Sequence, residues 1–164
     1  MNLDFLDDFT SPHMKSNYGK GLFLAGVVLG VLAYQQAGNN KDEMLNTPLF
    51  KQMNFGRMCL RDILNLLTNV PNIIRGYNIA YPGRIMRLAE EAMNLIFMGQ
   101  ETNFDLDVNA QDNAVFAFGF LHACEAYFNK IFPKSEKQET EEVKEQQDLK
   151  DTNEECKQEH LPVE

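Results

Sequence analysis

Tryptophan is absent from the 164 residues, and cysteine and histidine occur three times each. Bulk is supplied instead by twelve Phe and eight Met. Cys59, Cys124 and Cys156 stand far apart with no CxxC pair and no even count, which excludes a disulfide-stapled scaffold. That usage suits a reducing compartment, so the expected location is cytoplasmic, with Cys59 and Cys124 as small core residues. A long apolar run is also missing. The one membrane candidate, the apolar stretch of residues 22–34, has thirteen residues, whereas a membrane span needs about 20. It reads as a buried helix, and no membrane partner is expected. The opening Met1-Asn-Leu-Asp-Phe-Leu-Asp-Asp8 is acidic and lacks the basic and apolar regions of a signal peptide.

What is present divides unevenly. The formal net charge is −9, but residues 135–164 hold eleven acids against four lysines and so carry −7 of it. Between Lys15 and Arg87 there are nine bases and three acids, a net of +6. A mildly basic front half therefore precedes an acidic tail. The tail has almost no apolar side chain to offset ordering entropy, and disorder is expected over 135–164.

Helical periodicity dominates the rest. The spacing predicts a helix over 17–37, apolar nearly all round and hence central, with Gly21, Ala25, Gly26, Gly30 and Ala33 permitting close approach by a neighbour. Thr47-Pro48 opens a helix carried by Phe55, Met58, Cys59, Ile63, Leu64, Leu66 and Leu67 and closed by Pro71. A short helix over 72–80 and another over 83–99 follow. Asn109, with Asp112 three residues on, caps the last helix, whose apolar length makes it the partner of the first. The expected architecture is all-α: a single compact bundle of about five helices over 17–134, after a flexible leader at 1–16.

The chemistry of an enzyme is missing. His13 lies in the leader, His160 in the tail and His122 in the most apolar helix. His122 and Glu125 have the i, i+3 spacing of a metal-binding pair, but no second pair accompanies them. His122 reads as a satisfied core or surface histidine. Gly19-Lys-Gly21 and Gly26-x-x-x-Gly30 match neither a dinucleotide fingerprint nor a P-loop, and serve better as helix contacts. No catalytic residue, metal or cofactor is expected.

The basic residues are more suggestive. On the helix after Pro48, Asn54, Arg57, Arg61, Asn65 and Thr68 recur at three- and four-residue intervals. Arg57 and Arg61 have no carboxylate at i±3 or i±4. Cationic forks beside neutral hydrogen-bonding groups suit a nucleic-acid backbone. Arg75, Arg84 and Lys51 add to this candidate surface. Arg87 is answered locally by Glu90 and Glu91. The bland alternative is a solvated helix face.

Three stretches carry a resemblance. Gly19-Lys-Gly-Leu-Phe-Leu-Ala-Gly-Val-Val-Leu-Gly-Val-Leu-Ala-Tyr-Gln-Gln36 is similar to the helix that opens the C-terminal helical region of the CRISPR-associated large subunit of subtype I-B. Pro48-Leu-Phe-Lys-Gln-Met-Asn-Phe-Gly-Arg-Met58 and Ala114-Val-Phe-Ala-Phe-Gly-Phe-Leu-His122 follow in the order found in that family. The resemblance covers roughly residues 17–133 and leaves the first sixteen residues and the tail without a counterpart. It implies a non-catalytic small subunit of a Cascade interference complex, made from an internal start in the large-subunit gene. Its implied partners are the large subunit, the backbone subunits, a second copy of itself, guide RNA and target DNA. Such a subunit holds the guide–target duplex and the displaced strand by sequence-indifferent contacts, since base pairing supplies specificity. Two readings of other classes stand beside it: a helical scaffold that binds only protein, and a membrane-associated helical protein.

Overall fold

Serine, threonine and asparagine caps start three of the helices. The structure, a computed structural model, describes residues 1–99, 108–123 and 128–132. The expected disorder of 135–164, and the reading of Cys124, fall outside them. A 3-10 turn, Asp4–Asp8, leads into α1 (Pro12–Lys15) and then α2 (Asn17–Gln36). After a second 3-10 turn, Met44–Asn46, come α3 (Pro48–Lys51), α4 (Leu60–Thr68), α5 (Val70–Gly76), α6 (Pro82–Gly99), α7 (Ala110–His122) and α8 (Phe128–Ile131). The described residues are all-α, with no strand among them.

Ser16 Oγ accepts the Gly19 N–H at 3.0 Å to start α2. Thr47 Oγ1 accepts the Phe50 N–H at 3.2 Å to start α3. At α7 the capping box is complete: Asn109 Oδ1 accepts from Asp112 N–H at 2.9 Å, and Asp112 Oδ2 accepts from Asn109 N–H at 3.1 Å. Gly38 and Asn39, both at φ 63°, turn the chain away after α2.

The apolar all-round character of α2 has the predicted consequence. Leu22 through Ala33 are all buried, because α6 covers one side of α2 and α7 another. Glycines make both contacts close. A Cβ on Gly21 would lie 2.7 Å from the Ile96 backbone N, while one on Gly26 would run into the Phe116 carbonyl. Gly30 faces Phe120 and Ala123, and Gly119 answers from α7 against Phe23. Gly26 and Gly30 meet α7 one turn apart in the same order, so α2 and α7 run parallel. Gly21 and Gly99 meet α6 and α2 in reversed order, so that pair is antiparallel.

Three expectations are corrected. The flexible leader is instead packed: Leu6 is 1% exposed, and Phe9 sits edge-on to Phe23 at 5.3 Å. Asn2 N–H also donates to Ile131 O at 3.0 Å. The compact unit accordingly runs from Met1 to Phe132. Second, the helix expected to continue past Pro48 breaks between α3 and α4. In a continuous helix Phe50 and Phe55 would point roughly 140° apart. The loop lets both rings reach the same one, Phe120, at 5.9 and 5.3 Å. Third, Pro71 opens α5 rather than closing a segment, since its missing N–H is costless in a first turn.

Candidate nucleic-acid interface

The break before α4 redistributes the expected polar stripe. Arg61, Asn65 and Thr68 are exposed on α4, whose opposite face buries Leu60, Ile63 and Leu67. Asn54 and Arg57 belong to the preceding loop, where Arg57 N–H donates to Asn54 O at 2.8 Å. The five residues are therefore no helical stripe, though Arg61, Asn65 and Thr68 still share a face.

Beside that face lies a cleft of about 560 Å³ lined by Gln52, Asp62, Asn65, Leu66, Thr68 and Asn69. A second hollow of about 220 Å³ shares Gln52 and Asn69 with it and adds Gln36, Pro48, Leu49, Asn72, Ile73 and Tyr77. The two form one groove between the α3 end and α4–α5, with amides as its main polar groups. Some of these amides are already engaged. Asn72 Nδ2 donates to Asn69 Oδ1 at 2.8 Å, and Gln36 Oε1 accepts from Leu49 N–H at 3.3 Å.

Asp62 is the one carboxylate among the lining residues. The Cys59 backbone N–H and thiol both donate to its Oδ2 at 3.1 Å. The backbone donor first, and the thiol second, hold its carboxyl below the usual range. Cys59 is thus a half-buried helix cap and not the core residue expected. Around the groove, Lys51, Arg61 and Arg75 are exposed and make no ion pair among the described residues, and Arg57 on its loop is the same.

Arg84 plays another part. It is half-buried, with its guanidinium 4.9 Å from the Tyr81 ring centroid and 5.8 Å from that of Phe132. These ring contacts set its surroundings apart from the open surface of the others. His122 is exposed, with Nδ1 3.1 Å from Phe118 O. Among the described residues no three His, Cys, Asp or Glu side chains converge as metal ligands.

Residues 2–130 match the family model of the CRISPR-associated protein TM1802 (cas_TM1802) C-terminal domain. The chain belongs to this CRISPR-associated family. No curated protein and no solved structure matches it. The match agrees with the resemblance to the C-terminal region of a CRISPR-associated large subunit. It takes in residues 2–16, so the leader lies within the matched CRISPR-associated domain and has the counterpart the resemblance left out. Sequence reasoning missed Gln36, Gln52, Asn69, Asn72 and Tyr77. The available signal was the amide spacing Asn65, Asn69, Asn72, which crosses Pro71 and so goes unnoticed when that proline is read as an end.

Proposed function

We propose that this chain acts as a non-catalytic small subunit of a subtype I-B Cascade complex in the cytoplasm. In this reading it contacts nucleic-acid backbone and stabilises guide RNA–target DNA pairing and the displaced strand. Its protein partners are the large subunit, the backbone subunits and a second copy of itself. The observation that carries the proposal is the set of exposed, unpaired cations Lys51, Arg61 and Arg75 beside an amide-lined groove, with Arg57 on the preceding loop, in a chain of a CRISPR-associated family. Fixed guanidinium forks with neutral hydrogen-bonding neighbours suit phosphate contact, and the guide supplies sequence specificity.

The helix α2 is long and apolar enough to cross a membrane. Its burial between α6 and α7 supports a role as core helix and favours the soluble reading over the membrane-associated one.

The test is target binding by the assembled complex with Arg57→Ala and Arg61→Ala combined. The double variant should fold normally and weaken binding without altering sequence preference. The slope of affinity against salt should become shallower by about one for each phosphate that the variant no longer touches. Target binding equal to the parent's at every salt concentration would overturn the proposal and leave a solvated face.

A further inference from the structure

The groove has a polarity that phosphate contact alone does not explain. Its lining includes an ionised carboxylate, Asp62, which repels phosphate, while the cations Lys51, Arg61 and Arg75 stand beside it. Lys51 adjoins lining residue Gln52, Arg61 lies one turn from Asn65, and Arg75 follows Asn72 by three residues. The side-chain amides of Gln52 and Asn65 make no hydrogen bond with the described residues. Asp62 uses Oδ2 for Cys59 and leaves Oδ1 open. Tyr77, 40% exposed, lines the far hollow.

We infer that the groove takes the bases of a single nucleic-acid strand, with the phosphates outside against Lys51, Arg61 and Arg75. An unpaired amide carries a donor and an acceptor, the complement of a base edge, and a carboxylate accepts from the amino group of cytosine. Thymine has no exocyclic amino group to give. The groove therefore prefers amino-bearing bases to thymine, a modest preference laid over bulk phosphate affinity. Tyr77 supplies stacking, which tolerates any base. The combined volume, about 560 and 220 Å³, falls in the range of small-molecule sites.

This inference rests on the nucleic-acid reading above, and one experiment separates the two. The full-length chain, labelled with nitrogen-15, is titrated with oligo-dC and with oligo-dT of equal length. The side-chain amide signals of Asn and Gln are followed, a readout that works at weak affinity. Oligo-dC should bind about tenfold more tightly than oligo-dT and move the Gln52 and Asn65 amide signals. Asn65→Ala or Asp62→Asn should bring oligo-dC affinity down towards that of oligo-dT. Arg61→Ala with Arg75→Ala should lower both alike. Equal binding of the two strands, with the Gln52 and Asn65 signals unmoved, overturns the base-reading groove and leaves the phosphate surface standing. Binding of neither strand at low salt overturns the base-reading groove, while the phosphate surface is judged separately by target binding of the assembled complex carrying Arg57→Ala and Arg61→Ala.

Discussion

The imidazole of His13 brings its Nε2 to 2.7 Å from Oδ1 of Asp112, across the interface between the leader and the first turn of α7. The approach is close but not aligned as a ring N–H hydrogen bond. Asp112, 3% exposed, serves two purposes at once, since its other oxygen caps α7 through Asn109 N–H. Asp112→Ala should therefore cost about 1–2 kcal/mol, through the lost cap and the polar group left buried. His13→Ala should cost less. In urea unfolding the double variant should be less destabilised than the two single effects summed, because they share one interaction.

The packed leader gives a sharper contrast. Leu6→Ala should destabilise by about 2–5 kcal/mol, as for a buried leucine in a core. In a loose leader the same substitution would leave the thermal midpoint where it was, so one melting curve decides between them.

The glycines of the central pair should tolerate nothing larger. Gly26→Leu or Gly119→Leu should cost roughly 1–3 kcal/mol or more, because the new side chain meets backbone that cannot rotate aside. Gly83 is the control. A Cβ added there would meet nothing within 4 Å, and Gly83→Ala should be neutral or stabilise by up to about 1 kcal/mol. Equal responses at Gly26 and Gly83 would remove the case for close α2–α7 packing.

Arg84 should behave as a packing residue. Arg84→Ala should lower stability by about 0.5–1 kcal/mol through the lost stacking on Tyr81 and Phe132. Arg61→Ala, on an open face, should leave the melting temperature nearly unchanged while weakening strand binding. A melting temperature untouched by Arg84→Ala would return this arginine to the nucleic-acid surface.

Asp62 should give α4 an acid-sensitive start. Its carboxyl is held below the ordinary value by the Cys59 N–H and thiol. The stabilisation is therefore complete above the unfolded value of 3.8 and is lost as pH falls through the lower folded value. Asp62→Ala should cost about 1 kcal/mol at neutral pH, the usual worth of a helix cap. The difference between parent and variant, followed by denaturant unfolding, should shrink as the solution is acidified below that point. A difference constant down to pH ~2 would show that the cap does not depend on the charge.

Caps and apolar periodicity were legible because they act within a turn or two. Asn109 and Asp112 announce the start of α7 from three residues' spacing, and the charge-free run of α2 marks a helix that is apolar nearly all round. The glycines of α2 pointed to close packing for the same reason: a missing side chain is local information, though which neighbour it admits is not. Family membership was also readable, since it rests on the order of such patterns along the chain.

Tertiary structure decided the rest. Asn54 and Gly56 weaken a helix over residues 48–60 without fixing that it ends there; the loop they occupy lets Phe50 and Phe55 both meet Phe120, some seventy residues away in the chain. The leader's short apolar set is too sparse for a periodicity argument and finds its place only in the core beside Phe23. Arg84 carried the same sequence signal as Arg61, and the rings of Tyr81 and Phe132 separate their surroundings. The amide groove joins side chains from α2, the α3 end, α4 and α5, and Tyr77 beyond them. Its residues lie apart in sequence, so the sequence determined their chemistry while the packing of helices on α2 brought them to one place.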